Sequence, residues 1–147
     1  MVKMVICMPV YNAGEIIKET MESILNQSFE DFEIIITDDN STDNTFENVK
    51  KIDDPRIKYY IFKKNVGYPK NLERCINKWS NSSEILFLMG QDDILAKGTL
   101  EKVNKIFDEN ENVGAITRPY YWFHDDIKKP VRAKDTYDKN KDAIISI

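Results

Sequence analysis

The sequence predicts an α/β fold, a three-layer α/β/α sandwich around a mainly parallel central sheet. Two observations support this prediction. Short, continuous apolar runs of strand length recur along the chain as far as Thr117, and amphipathic stretches with helical spacing lie between them. Consecutive parallel strands need crossover connections, which are right-handed and place helices on both faces of the sheet.

The first two predicted strands enclose one amphipathic helix. MVICMPV (Met4–Val10) is apolar, rich in branched residues and followed by YNAG, which predicts a buried strand and a turn. FEIIITDD (Phe32–Asp39) predicts the second strand, and NSTDNT then offers caps for a helix that ends near Lys51. The helix over Glu15–Gln27 is indicated by one apolar stripe, which consists of Ile16, Ile17, Thr20, Met21, Ile24 and Leu25.

The third strand is predicted by IKYYIF (Ile57–Phe62). KKNVGYPKN (Lys63–Asn71) follows as a loop in which Gly67 and Pro69 are the turn residues, and a helix then runs to about Trp79.

The fourth and fifth strands are predicted at Glu84–Met89 and at VGAIT (Val113–Thr117). After Arg118 the chain is first aromatic and then highly charged with little periodicity. We therefore expect residues 1–118 to form the core domain and residues 119–147 to begin a second region, incomplete in this chain. The helix between these strands is marked by Leu100, Val103, Ile106 and Phe107.

Composition excludes several classes of protein. The chain of 147 residues is 41% hydrophobic and 31% charged with a net charge of -4, which is typical of one soluble globular domain and lacks the basic surface that nucleic acid requires. Cys7 and Cys75 form no CxxC or Cys/His cluster, so we expect reduced, buried thiols. No apolar run has the length of a membrane span or a signal peptide, so we expect a cytoplasmic protein, with the inner face of the membrane as the alternative place.

Polar residues collect after the predicted strands. Ligands of an open parallel sheet bind beyond the carboxyl ends of its strands, so we expect a site at this edge. Each group has a simpler interpretation by itself, as a solvated turn, a helix cap or a half-buried aromatic. The doubled aspartates nevertheless need a compensating cation, donors or water, because adjacent carboxylates repel each other. The groups are Tyr11 and Asn12, Asp38 and Asp39, Asn65, Gly67 and Lys70, and Gln91, Asp92 and Asp93.

Three segments in order resemble family 2 glycosyltransferases, a large group with the GT-A nucleotide-sugar-binding fold. They are VICMPVYNAGEIIKETMESILNQSFEDFEIIITDDNSTDNT, NVGYPKNLERCI and ILFLMGQDDILAKGTLEKV, so the resemblance extends from about Lys3 to Thr117. Any one of these motifs alone is a weak signal, but their combination is specific. The resemblance implies a GT-A core in residues 1–118, followed in 119–147 by the start of the acceptor-side region of a longer enzyme.

The resemblance also implies roles for individual residues. The P-x-Y-N loop holds the nucleoside, which here means Pro9, Val10 and Tyr11, and the ring of Tyr11 is available to stack on the base. Asp39 matches the residue that accepts a hydrogen bond from the imide of the base, which makes UDP the default donor nucleotide. Lys70 matches a position that is often basic and near the donor phosphates.

The segment GQDD lies where the family usually has Asp-x-Asp-Asp. Asp92 matches the metal-binding aspartate, with Asp93 beside it as a supporting or ribose-contacting partner, and the expected cofactor is Mn²⁺ or Mg²⁺. When bound, such a cation neutralises charge on the departing nucleoside diphosphate. Gly90 replaces the first acid of the pattern, so one polar contact of the family is missing here.

The catalytic general base is not identified in this chain. Family 2 enzymes are expected to invert the anomeric centre with an Asp or Glu acting on the acceptor hydroxyl, and the resemblance places that base beyond Ile147. We interpret Asp125 and Asp126 as a solvated loop and His124 as a surface or core residue. The aromatic cluster Tyr120–Phe123 faces the acceptor side or forms an ordinary hydrophobic edge.

We therefore expect a sugar transfer from a nucleotide donor to a glycan, lipid or protein acceptor. One alternative is a nucleotide-sugar-binding module without catalysis. Another is a nucleotidyltransferase, although PVYNAGE is neither glycine-rich nor basic as that class requires after its first strand. A dinucleotide oxidoreductase is disfavoured because no G-x-G-x-x-G follows the first strand.

Overall fold

The computed structural model describes residues 1–116 together with the backbone of 121–122 and 132–133. The chain divides into two compact units, residues 1–102 and residues 103–147. In the described part of the chain, no helix is long and apolar enough to cross a bilayer. The elements are β1 Val2–Val10, α1 Ile16–Leu25, β2 Phe32–Asp38, α2 Thr45–Lys50, β3 Ile57–Ile61, α3 Tyr68–Trp79, β4 Ser83–Leu88, α4 Thr99–Glu109, β5 Tyr121–Trp122 and β6 Arg132–Ala133.

The first four strands form one parallel sheet in the order β3-β2-β1-β4. Strand β1 pairs with β2 from Met4 opposite Phe32 to Val10 opposite Asp38. Strand β2 pairs in turn with β3, with Asp38 opposite Ile61. This arrangement confirms the predicted parallel sheet and brings the carboxyl ends of all four strands to one edge.

The two central strands supply most of the core. Residues 4–8 of β1 and 34–36 of β2 are at most 1% exposed, so these strands are covered on both faces, as their continuous apolar runs predicted. On one face, Val5, Cys7 and Ile35 pack against Cys75 and Trp79 of α3. Burying each such side chain contributes roughly 1.5–3 kcal/mol, so the sheet is a stable platform for the loops at its edge.

The two cysteines are both free and buried, as predicted. They lie side by side between β1 and α3, where a hydrogen bond with Cys75, reinforced by burial, raises the pKa of the Cys7 thiol well above its usual range. A thiol with a raised pKa is a poor nucleophile, so Cys7 is a packing residue.

Two predicted elements differ from the structure by more than a small shift at their ends. Helix α3 begins at Tyr68, so Lys70 lies in the first helical turn and not in the preceding loop. The cause is local: Gly67 adopts a φ of 84°, which favours glycine, and Pro69 has the fixed φ of an early helical residue. The predicted fifth strand is wrong within residues 113–116, where only Ala115 forms a bridge.

Other expectations concern residues that the structure does not describe. Thr117, His124, Asp125 and Asp126 lie outside the described residues, as do Tyr120 and Phe123 of the aromatic cluster. Tyr121 and Trp122 are described by their backbone only, which pairs antiparallel with Arg132 and Ala133.

Candidate functional site

A cavity of about 760 Å³ opens at the carboxyl edge of the parallel sheet. Part of its wall is formed by residues within the segments 65–72 and 88–91. Loops after β1, β2, β3 and β4 thus converge on one space, and aspartates that follow β2 and β4 line the same cavity. The family resemblance assigned binding roles to seven residues. Six of them line this cavity, namely Pro9, Val10, Tyr11, Asp39, Asp92 and Asp93.

Lys70 is the predicted residue that does not line the cavity. Its side chain is exposed in the first turn of α3. The family pattern identified a basic residue in this segment, but the early start of the helix places Lys70 away from the cavity wall.

Asp39 is buried, with 1% of its surface exposed, and its carboxylate has partners on three residues. The Val66 N–H donates to both oxygens at 3.0 and 2.9 Å, and the Gly67 N–H donates to Oδ2 at 2.7 Å. The guanidinium of Arg74 lies 3.3 Å from Oδ1 and stacks over the ring of Phe62 at 4.5 Å. Asp39 therefore fixes the loop between β3 and α3 and itself lines the cavity, whereas Arg74 does not line it.

Asp38, its neighbour in sequence, has a different role. Its side chain accepts hydrogen bonds from the Ser41 N–H at 2.7 Å and from the Tyr59 hydroxyl at 2.5 Å. Burial of Tyr59 is the main cause, and this hydrogen bond to Asp38 the second, of a pKa raised far above the usual value of a tyrosine. The phenol therefore stays protonated and donates. Asp38 does not line the cavity and stabilises the turn after β2.

The loop after β1 is held by reciprocal contacts with the turn after β2. Asn12 adopts a φ of 48°, a conformation that asparagine tolerates better than most residues. Its N–H donates to Ser41 Oγ at 2.9 Å, and its side-chain oxygen accepts from the Thr42 N–H at 2.8 Å. Tyr11, just before it, is 45% exposed and lines the cavity.

Helix α1 holds the loop that carries the aspartates after β4. Thr20 Oγ1 donates to the Gln91 carbonyl at 2.9 Å, and the Leu95 N–H donates to Ser23 Oγ at 3.0 Å. The side chain of Gln27 donates to the Ala96 carbonyl at 3.0 Å. Thr20, predicted as part of the apolar stripe, is indeed buried. Together with Ser23 and Gln27, at spacings of three and four residues, it forms a row of polar side chains that contact the loop after β4.

The GQDD segment is folded tightly around Gly90. A Cβ at this position would lie 2.8 Å from Asp93 Oδ2 and 3.2 Å from Asp92 Oδ1, and the Gly90 N–H donates to Asp93 Oδ2 at 3.2 Å. The two exposed carboxylates thus lie close to Gly90, the position at which the family usually has its first acid. Within the described residues, no group of three or more His, Cys, Asp or Glu forms a metal site.

Sequence reasoning missed Arg74 and the contact of Gln91 with the loop after β1. Arg74 could have been found by helical spacing, since Asn71, Arg74 and Cys75 lie at i, i+3 and i+4 on one face of α3. Gln91 was noted only as one of the polar residues after the fourth strand. Its side chain bonds the backbone of Tyr11, 80 residues earlier, and no local sequence signal indicates that contact.

Comparison with known proteins gives consistent results. Residues 5–144 match the family described as glycosyl transferase family 2. The chain is 34% identical over 119 residues to poly(ribitol-phosphate) beta-N-acetylglucosaminyltransferase of Staphylococcus aureus, covering 76% of this chain and 35% of that protein. It is 35% identical over 105 residues to GalNAc(5)-diNAcBac-PP-undecaprenol beta-1,3-glucosyltransferase of Campylobacter jejuni, covering 68% and 33% respectively.

Among solved structures, the chain is similar to S. aureus TarS 1-349 in complex with UDP-GlcNAc, with a TM-score of 0.69 and 28% identity. That match covers 76% of this chain and 32% of TarS 1-349. The chain spans about a third of the length of the two relatives named above. The matched sequence and the parallel sheet with its flanking helices agree: the chain belongs to glycosyl transferase family 2 and has the GT-A fold.

Proposed function

We propose that this chain is the donor-binding part of an inverting, metal-dependent glycosyltransferase. The proposed reaction transfers a sugar from a UDP-sugar to a glycan, lipid or protein acceptor and releases UDP. Residues 1–118 are the proposed donor-binding core, and residues 119–147 begin the acceptor side. The observation that carries the proposal is that Tyr11, Asp39, Asp92 and Asp93 line one cavity.

The proposed nucleoside end of the cavity combines the aromatic side chain of Tyr11 with the carboxylate of Asp39. The exposed ring of Tyr11 offers a surface on which a base can stack. The carboxylate of Asp39 accepts four hydrogen bonds from three donor groups, and because the Val66 N–H is shared between both oxygens, a ligand N–H would replace one of these two contacts. Uracil presents an N–H between two carbonyl oxygens, and the carboxylate of Asp39 at the cavity wall complements that N–H.

The proposed phosphate end consists of Asp92 and Asp93. Mg²⁺ and Mn²⁺ are hard cations that take oxygen ligands, and sites of this kind commonly use one or two carboxylates together with substrate phosphates. Two exposed carboxylates folded over one glycine fit that requirement, although they form no group of three with another His, Cys, Asp or Glu of the described chain. The bound cation supplies charge neutralisation for the leaving UDP. Lys70, which does not line the cavity, is left out of the proposed set.

Relatives support the choice of donor and the range of acceptors. TarS was solved with UDP-GlcNAc, and the C. jejuni relative is named for a glucosyl transfer to an undecaprenol-linked glycan. The matched part is about a third of TarS 1-349 and of the C. jejuni relative, so their substrates come to this chain as a proposal only. We assign no general base to the described residues.

Calorimetric titration of UDP, with and without Mn²⁺, tests the proposed function. We expect UDP to bind more tightly with Mn²⁺ than without it.

Tyr11→Ala should weaken UDP binding by about 1–3 kcal/mol, the range for base–aromatic stacking, and should leave Mn²⁺-pyrophosphate binding unchanged. Equal losses for both ligands would show that the ring does not contact the base. Binding without slow hydrolysis of UDP-sugars would favour either the non-catalytic module or a truncated enzyme.

Gly90→Ala tests the proposed cation ligands. The added Cβ must displace the carboxylates of Asp93 and Asp92, which it would meet at 2.8 and 3.2 Å. Because both side chains are exposed, the free energy of unfolding should change by only about 0.5 kcal/mol, while Mn²⁺ affinity falls. Titration of Mn²⁺ followed by electron paramagnetic resonance measures the latter. Unchanged Mn²⁺ affinity would contradict the proposed use of these carboxylates.

A further inference from the structure

Gln91 connects the segment after β4 to the loop after β1. It precedes Asp92 in the GQDD segment, and its side chain contacts the backbone of Tyr11, the residue that follows β1. Oε1 accepts a hydrogen bond from the Tyr11 N–H at 2.8 Å, and Nε2 donates one to the Tyr11 carbonyl at 3.2 Å. One side chain therefore bonds both backbone groups of the residue whose ring lines the cavity.

The backbone of Gln91 is itself fixed. Its carbonyl accepts the 2.9 Å hydrogen bond from Thr20 Oγ1, so the amide extends from a segment anchored on α1. On the other side of Tyr11, the Asn12 N–H is held by Ser41 at 2.9 Å. The peptide groups on both sides of Tyr11 are thus restrained by contacts from distant parts of the chain.

We propose that Gln91 is a positioning residue for nucleoside binding, although it belongs to the segment that carries the proposed cation ligands. It holds the backbone of Tyr11 so that the ring faces the cavity before the base arrives. A ring that is ordered in advance loses less conformational entropy on binding, and that saving appears as affinity. This inference rests on the proposed function, since it requires a nucleoside to occupy the cavity beside Tyr11.

The amide of glutamine suits this task better than other side chains of its length. It supplies one acceptor and one donor in a planar group, which matches the N–H and C=O of a single residue. Methionine has similar length but forms neither bond well, and glutamate keeps the acceptor for the Tyr11 N–H but loses the donor. These two substitutions therefore separate the hydrogen bonds from the volume of the side chain.

A double-mutant cycle on the full chain tests the proposal, with uridine as the ligand. Uridine has no phosphate, so its affinity does not depend on direct contact with a cation. Ligand-observed NMR measures its Kd for the native chain, Gln91→Met, Tyr11→Ala and the double variant. We expect Gln91→Met to weaken uridine binding about fivefold, and by less than about twofold when Tyr11 is already alanine. Gln91→Glu should give an intermediate loss.

The outcomes distinguish this inference from the proposed function. If Tyr11→Ala leaves uridine affinity unchanged, the proposed nucleoside site itself is wrong. If Tyr11→Ala weakens uridine but Gln91→Met does not, only the positioning role is overturned. Equal losses from Gln91→Met in both backgrounds would likewise overturn it, because a residue that acts through Tyr11 cannot matter equally without the ring. Mn²⁺-pyrophosphate binding should be unchanged in Gln91→Met, and a comparable loss there would contradict a role confined to the nucleoside.

Discussion

Replacing Asp39 by alanine should lower the free energy of unfolding by about 2–4 kcal/mol and, in the protein that remains folded, abolish most of the affinity for uridine nucleotides. The substitution leaves the Val66 and Gly67 N–H groups without the acceptor that they contact at 2.7–3.0 Å. It also releases Arg74, whose side chain is one-third exposed, so its guanidinium recovers part of its hydration. The loss of stability comes mainly from the two backbone donors.

The expected loss of affinity has a separate cause. Asp39 lines the cavity. Its substitution removes the proposed acceptor for the base and also releases the loop between β3 and α3. Urea denaturation measures the change in stability, and calorimetry with UDP measures affinity at a temperature where the variant is folded. A variant that loses stability but binds UDP normally would show that Asp39 is a structural residue only.

Asp54→Ala is a matched control for this experiment. Asp54 also pairs with an arginine, since its Oδ2 lies 2.7 Å from Arg56 Nη2, and this bond lowers the pKa of Asp54. It does not line the cavity. We expect Asp54→Ala to cost some stability and to leave UDP affinity unchanged. A loss of affinity in both variants would indicate a general effect of weakening an acid–arginine pair.

The fold was predictable because its strongest signals are local. Residues 4–10 are a continuous apolar run and residues 34–36 form the apolar centre of β2, and such runs occur where a strand is covered on both faces. The spacing of Ile17, Met21 and Ile24 likewise indicated a helix with one buried side. Parallel pairing then followed from the alternation of strands and helices, and it placed the loops of the site at one edge.

The details of the site were less predictable because they depend on contacts between distant segments. Thr20 has the same period as its apolar neighbours, and only the folded chain shows that its hydroxyl donates to the Gln91 carbonyl. Lys70 was misplaced because Gly67 and Pro69 were interpreted as loop residues, although together they begin a helix. The pairing of Asp39 with Arg74 joins the end of β2 to the middle of α3, 35 residues later.

Asp92→Asn should remove the Mn²⁺ dependence of UDP binding while the fold remains intact. The amide keeps the size of the side chain but loses the charge that a hard divalent cation requires, and Asp93 would be the remaining protein carboxylate of the pair. Loss of a supporting contact typically costs 10–100-fold in metal affinity, so loss of a direct ligand should cost at least about tenfold.

The comparison that decides this prediction is between two exposed aspartates of the same chain. Asp92 lies over Gly90 at the cavity, whereas Asp53 is exposed near the start of β3 and does not line it. Asp53→Asn should therefore retain the native response of UDP affinity to Mn²⁺, and both variants should unfold at the native urea concentration. A response to Mn²⁺ that survives in Asp92→Asn would assign the cation to another group. Loss of that response in both variants would mean that net surface charge, and not a bound ion, produces it.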